Sequence, residues 1–406
     1  MNKSERLRDE IVKKIQSIMA CNPPLTQEME MHMEKLRTIL ANPVVESAFN
    51  EAIARVYPHT ETGGVNYWMY ADVQLLALYF RCWFTDLPKP TSGLGYILPF
   101  SWLYFNNKSG YYFLNLFKSS SLGQSVMRRE IFNWTVEFIM IRGNFMDSKE
   151  STTYIDDWLQ DPSTNMQDFL IPPGGFQSFN AFFTRELNPN VNARPISNPD
   201  DDSIVTASAD TIINLILSDL TLKTMINVKG RQISMEKLLD GSQYAKNFVG
   251  GTAVSCVLMP NVYHHYHSPV KGMIVEGKDI PGIYNGIVDG EHWFNDMSNP
   301  GQGDTDFSLF EEFHRAYYII ETEKYGHVAM VPVGLNTISR ITPSLVGEKS
   351  SYVSPGGAPV PVAKGEKLGY FAYGGSLNIL MFEKDVFPCV SLLMGNRLGQ
   401  MTAKET

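Results

Sequence analysis

Residues 317–333 read Tyr-Tyr-Ile-Ile-Glu-Thr-Glu-Lys-Tyr-Gly-His-Val-Ala-Met-Val-Pro-Val. Two β-branched and aromatic runs flank a polar break at Lys324-Tyr325-Gly326, a pattern that predicts two strands joined by a turn. Further short runs of the same kind lie on either side: Ser203 to Thr206, Ala253 to Leu258, and Leu377 to Phe382. Gly and Pro punctuation separates them at Gly250-Gly251, Pro281-Gly282, Pro300-Gly301 and Pro355-Gly356-Gly357. This texture predicts a sheet-rich domain with many loops.

The first third of the chain has a helical period instead. From Ser4 to Met19, Leu7, Ile11, Ile15 and Ile18 recur at spacings of three and four, which places them on one face. Pro43 opens a second such run with Val45, Phe49, Ile53 and Val56 in register, and proline is well placed in a first turn because its missing N–H is not needed there. Met127 to Met146 forms a third. The pattern breaks between Asp161 and Gly175. The expected fold class is α+β, with a helical N-terminal domain over 1–165 followed by a sheet-rich domain over 170–406.

Composition narrows the function classes. Hydrophobic residues make up 44% and charged residues 19%, below the usual charged share of about 25%, so the chain is a packed globular protein rather than a disordered one. A net charge of −9 gives no overall field toward nucleic acid or anionic lipid, and nucleic-acid binding is not expected. The four cysteines, Cys21, Cys82, Cys256 and Cys389, are widely spaced, and the reading is free buried thiols in a reducing compartment. The N-terminal stretch mixes both charges and lacks an apolar core, so no signal peptide is expected and the location is read as cytoplasmic. The uncharged stretch from Pro90 to Asn107 carries two prolines and two glycines and falls short of the roughly 20 apolar residues of a spanning helix, which marks it as buried or substrate-facing.

Three stretches could carry chemistry. Tyr263-His264-His265-Tyr266-His267 holds three of the eight histidines. Metal binding, acid–base work and plain core packing are all open readings of such a group, and no further ligand spacing for a metal is apparent nearby. Lys364 to Ser376 ends in Gly374-Gly375-Ser376, either a plain hairpin or a serine whose hydroxyl can swing onto the preceding carbonyl when a base takes its proton. Asp210, His267 and Ser376 are together a permitted acid–base–nucleophile set, one recognised by geometry and not by chain order. In Phe179-Asn180-Ala181-Phe182-Phe183-Thr184-Arg185 the aromatics read as domain-junction packing and Arg185 as a surface or helix-end charge.

These stretches in their order resemble the phosphatidylserine decarboxylase family of pyruvoyl enzymes. FNAFFTRELNP is similar to the family's FxxFFxRxL motif, IVTASAD to its VSPADG strand, VYHHYHSPVKGMI to YHRxHxPxxG, HVAMVPVGLNTISRI to the strand ending in VGA, and KGEKLGYFAYGGS to the processing site. The likeness runs from about Phe176 to the C-terminus. It implies that Asp210, His267 and Ser376 form a self-cleavage triad and that His264 serves the decarboxylation step. Cleavage between Gly375 and Ser376 then yields a large chain, 1–375, and a small one, 376–406. The cofactor implied is a covalent pyruvoyl group derived from Ser376, with no metal. Its ketone takes up the substrate amine and withdraws electrons as CO2 leaves.

The family pattern also shows departures: Thr211 stands where the family has glycine after its aspartate, and Leu377 replaces a small hydroxylated residue after the serine. His264 and His267, three apart, diverge on a flat strand, so a shared site requires a helical turn or a bulge between them. Membrane-bound members carry hydrophobic segments ahead of the catalytic domain, whereas ANPVVESAFNEAI and the Gly374-Gly375-Ser376 form resemble the soluble L-tryptophan decarboxylase branch of psilocybin synthesis. The leading expectation is therefore decarboxylation of a free, aromatic L-amino acid: tryptophan, phenylalanine or tyrosine. The alternatives are phosphatidylserine as substrate, or an uncleaved, non-catalytic binding relative, which Thr211 and Leu377 motivate. No transmembrane segment is expected; a homo-oligomer is open, since dimers occur in the wider family.

Overall fold

The computed structural model describes residues 3–56, 67–90, 96–104, 107, 109–110, 122–222, 224–228, 231–233, 235–280, 315–335, 341–343, 357–373, 375–387, 390–391 and 394. N-terminal helices precede a sheet-rich region, an α+β architecture. The chain divides into two compact units whose main boundary falls between Trp158 and Leu159. Gly374, Cys389 and the Pro281-Gly282, Pro300-Gly301 and Pro355-Gly356 breaks lie outside the described residues.

In the first unit the helices are α1 (Lys3–Ala20), α2 (Gln27–Leu40), α3 (Pro43–Ala54), α4 (Val73–Thr85), α5 (Ile97–Tyr104) and α6 (Leu122–Met146), and α7 (Ile155–Gln160) crosses the boundary. Thr26 and Asp72 cap α2 and α4 by accepting backbone N–H groups, and Pro43 takes the first turn of α3 behind the Asn42 cap. Each amphipathic stripe is turned inward: Ile11 and Ile18 from α1, Val45, Phe49 and Ile53 from α3. An aromatic cluster from α4, α5 and α6, with Phe80, Trp83, Phe100, Trp134 and Phe138, forms the centre. Buried Arg142 donates to the carbonyls of Trp83, Phe84 and Asp86 at 2.6–3.0 Å, satisfying the open C-terminal end of α4. Phe100, Leu103, Tyr104 and Asn107 of the uncharged segment are buried, and residues 91–95 and 105–106 are outside the described residues. No described helix is long and apolar enough to cross a membrane.

The expectation of free thiols is corrected here. Cys21, just after α1, and Cys82, in α4, form a disulfide across 61 residues with Cα atoms 6.0 Å apart. The two helices approach side by side and bring distant positions within bonding range, which sequence spacing does not reveal. Cys256 remains a buried free thiol.

Among its described residues the second unit contains α8 (Phe179–Phe183), α9 (Met235–Leu238) and twelve strands. Seven strands form an antiparallel sheet in the order β1 (Ile212–Leu217), β4 (Thr252–Leu258), β12 (Gly375–Phe382), β8 (His327–Leu335), β7 (Arg315–Glu321), β6 (Gly272–Ile280) and β10 (Val360–Val362). A smaller sheet has the order β5 (His265–His267), β11 (Lys367–Phe371) and β9 (Ile341–Pro343), and β2 (Thr224–Val228) pairs β3 (Arg231–Ile233). Residues 317–333 form the β7–β8 hairpin, with Glu321 opposite His327. Its turn is closed by Thr322 N–H to the Gly326 carbonyl, and Gly326 sits at φ 64°, where a side chain is disfavoured and a Cβ would meet the Glu383 carboxyl.

One expected strand is absent. Ser203 to Thr206 is irregular, because its polar backbone groups are taken up outside any ladder. Thr206 N–H donates to the Pro269 carbonyl, and the nearly buried Lys364 ammonium takes the carbonyls of Asn198, Asp201 and Ile204. The core lies between the two sheets. It gathers Val254, Cys256 and Leu258 from β4, Leu380 and Phe382 from β12, Tyr318 and Ile320 from β7, Tyr266 from β5, and Leu368 and Phe371 from β11.

Candidate active site

Ser376 is the second residue of β12, and the chain runs through the Gly375–Ser376 bond as strand: Gly375 faces Leu335, and Ser376 faces Leu258 on one side and Gly334 on the other. Alternation along the strand puts Ser376 and Asn378 on the face that continues into the core residues Leu380 and Phe382. Ser376 is buried and its Oγ has no hydrogen-bond partner among the described residues. Buried Asn378 donates to Ser208 Oγ at 3.1 Å, and the Ser208 carbonyl accepts the His267 N–H at 2.7 Å. Ser208 thus ties the serine strand to the histidine strand. The departures from the family pattern are packed in: Leu377 is fully buried between Val257 and Val333, and Thr211 hydrogen-bonds the Cys256 thiol.

The histidine stretch is not one regular strand. His264 precedes β5, and β11 carries a bulge between Lys367 and Gly369, opposite His267 and Tyr266. His264 and His267 consequently have different surroundings. The His264 ring stacks on Phe183 with centroids 3.6 Å apart, and neither of its nitrogens has a hydrogen bond of good geometry. Complete burial and the nearby Arg185 charge hold its pKa well below the ordinary value, so it is a neutral imidazole. The His267 Nδ1–H donates to the Gly365 carbonyl at 2.8 Å, and its Nε2 lies 3.1 Å from the Tyr263 hydroxyl. Burial also lowers its pKa. His265 donates through Nε2 to the Thr184 carbonyl at 2.9 Å, and burial pushes it down to about 4.

Asp210 follows Ser208 by two residues. Its carboxylate is held by Arg194 through three N–H contacts of 2.7–3.1 Å, and Arg194 reaches on to Asp168 at 2.9 Å. Asp210 contributes to the electrostatic environment of His267 without bonding to it. The four residues singled out by sequence therefore fall in one unit, in which Ser208 links the Ser376 strand, through Asn378, to the His267 backbone. In the uncut chain, however, no hydrogen bond links Asp210 to His267 or His267 to Ser376 among the described residues.

Helix α8 walls the site. Its cap Ser178 accepts the Ala181 N–H, and Asn180 Oδ1 accepts the Tyr373 N–H just before the processing segment. Phe179 and Phe183 pack edge-on to Tyr373 at 5.2 and 5.3 Å. Arg185, expected as a surface or helix-end charge, is instead buried. It donates to the Asn261 carbonyl at 2.7 Å and lies over the rings of Phe169 and Phe182, and desolvation pulls its pKa down to about 10. Sequence reasoning missed Ser208, Asn378, Tyr263 and Arg194. Asn378 left a signal, one amide interrupting the apolar run Leu377 to Phe382, whereas Arg194 sits in a polar loop with nothing to distinguish it.

With this geometry in place, comparison with known proteins is direct. Residues 179–401 match the family model for phosphatidylserine decarboxylase, and the chain belongs to that family of pyruvoyl-dependent carboxy-lyases. It is similar to the "phosphatidylserine decarboxylase proenzyme" of Clostridium novyi, 30% identical over 276 residues that cover 64% of this chain and 84% of the relative. The proenzyme of Fusobacterium nucleatum is 30% identical over 273 residues, 67% of this chain and 80% of the relative. "Phosphatidylserine decarboxylase proenzyme 2" of rice is 31% identical over 258 residues, 63% of this chain but 37% of the relative. These relatives overturn the expectation of a free aromatic amino acid as substrate. Each is named for phosphatidylserine, and the likeness to the tryptophan decarboxylase branch rested on short stretches, chiefly in the N-terminal third ahead of the matched region.

Proposed function

We propose that this chain is a self-processing decarboxylase that cuts itself before Ser376 and acts on phosphatidylserine, giving phosphatidylethanolamine and CO2. The observation that carries the reading is Ser376 itself, a buried hydroxyl directly after Gly375 and without a partner among the described residues, in a chain whose relatives are named proenzymes. A buried polar group left unpaired costs about 1–3 kcal/mol, and such a cost persists where function needs it.

The chain's own residues supply the processing steps. Ser376 Oγ attacks the Gly375 carbonyl carbon while its proton passes to His267 Nε2; the proton then goes to the Ser376 nitrogen as the C–N bond breaks, leaving an ester. Elimination across Ser376 releases residues 1–375 with a carboxylate end, and hydrolysis with loss of ammonia leaves a ketone on residue 376. The surroundings fit such a pyruvoyl group: the Ser376 hydroxyl has no hydrogen bond to give up among the described residues, and the neutral His264 belongs to the same unit. Once formed, the group supplies an electron sink for the carbon that loses CO2. His264, being neutral, first takes the proton that the substrate ammonium sheds and then returns it to that carbon, and the apolar stack with Phe183 keeps water from its ring. Arg185, buried nearby, provides positive charge for a carboxylate or phosphate.

Incubation with phosphatidylserine vesicles, and separately with free tryptophan, phenylalanine and tyrosine, tests the substrate by CO2 release. Release from vesicles is expected; release only from the free amino acids would overturn the reading.

A further inference from the structure

We propose that Tyr263 is a positioning residue for His267, its hydroxyl holding the ring nitrogen that receives the Ser376 proton. The inference rests on His267 being the base of self-cleavage. A carbonyl oxygen only accepts, so the 2.8 Å contact with Gly365 assigns the ring hydrogen to Nδ1 and leaves the lone pair on Nε2. The Tyr263 hydroxyl, 3.1 Å away, donates to that lone pair. The phenol hydrogen occupies that lone pair, so it rotates away as Ser376 delivers its proton; the protonated Nε2 is then a donor, and the phenol oxygen accepts in turn. One contact therefore fixes the ring both before and after the transfer, while Gly365 fixes its other side.

Tyr263 is itself immobilised. It is buried, its ring lies nearly parallel to that of His265 at 4.7 Å, and His265 is pinned to Thr184. Burial raises the phenol's pKa, so it keeps its proton where His267 is a neutral base. The charges facing His267 are Lys367 on β11, which disfavours its protonation, and Glu186 and Asp210, which favour it. None of these hydrogen-bonds Nε2, which leaves Tyr263 as the group that aims it. In the permitted Asp–His–Ser arrangement, aspartate orients the histidine; here the Gly365 carbonyl and the Tyr263 phenol hold the ring, and Arg194 holds Asp210.

Tyr263→Phe keeps the ring stack and removes only the hydroxyl. Appearance of the fragment 376–406 is followed by intact mass across pH in the wild type, Tyr263→Phe and His267→Ala, and the His267 ring is read by 15N NMR in an uncleavable Ser376→Ala background with and without Tyr263→Phe. The expected result is cleavage slowed about 10- to 100-fold in Tyr263→Phe, with the His267 Nε2 resonance displaced and Nδ1 unchanged. Unaltered cleavage, or slowed cleavage with an unmoved Nε2 resonance, overturns the role of Tyr263. Normal maturation of His267→Ala overturns the reading beneath it, and the role of Tyr263 with it.

Discussion

At the scale of single residues, the buried Ser376 hydroxyl stands without a hydrogen-bond partner among the described residues. Removing an unpaired hydroxyl relieves its desolvation, so Ser376→Ala is expected to abolish self-cleavage without loss of stability, with a gain of up to about 1 kcal/mol in denaturant unfolding. His264→Ala is expected to mature normally yet lose about 100-fold or more in turnover, read as CO2 release from the cleaved protein. Histidines 264, 265 and 267 are all held neutral by burial. Their folded pKa values lie below the unfolded value near 6.5, so the unfolded chain binds more protons as pH falls. The stability they contribute is complete above about pH 6.5 and drains away toward the His265 value of about 4. Melting temperatures at pH 7.5, 6 and 5 check this: a steady decline is expected, and a flat profile contradicts it.

At the scale of elements, the loop–strand junctions aim the site more than the strands do. Gly365 stands at φ 79°, and an added Cβ would run into Ile196, so its carbonyl reaches His267 only because glycine occupies the position. Gly365→Ala is expected to destabilise the fold by about 1 kcal/mol or more and to slow maturation, measured by urea unfolding and intact mass. The strands were legible in sequence because their runs are β-branched or aromatic and bounded by turn residues, and the 317–333 hairpin is the clearest case. Ser203 to Thr206 misled for a definable reason: a β-like composition does not show that Lys364, some 160 positions away, takes its carbonyl. Period alone called for an irregularity between His264 and His267 if they share a site; the fold instead leaves His264 just outside β5 and puts a bulge in the partner strand β11, which depends on pairing that only the fold shows.

At the scale of the whole molecule, the chain carries a helical unit and a sheet-rich unit, and the family match covers the second. The motifs and their order were readable in the sequence because each is local. The substrate was not readable, since the N-terminal residues weighed for it lie outside the matched region. The Cys21–Cys82 bridge was equally invisible, as it depends on two helices meeting across 61 residues. Closing a loop of that length typically contributes about 2–4 kcal/mol, so reductant is expected to lower the stability of the helical unit by that order, seen as a lower midpoint in denaturant. The central claim is that the peptide bond before Ser376 breaks, and intact mass of the purified protein tests it most directly. Two species are expected, residues 1–375 and a fragment 376–406 that has lost its free amino group. A single 45.8 kDa chain in both fresh and aged samples would contradict the account.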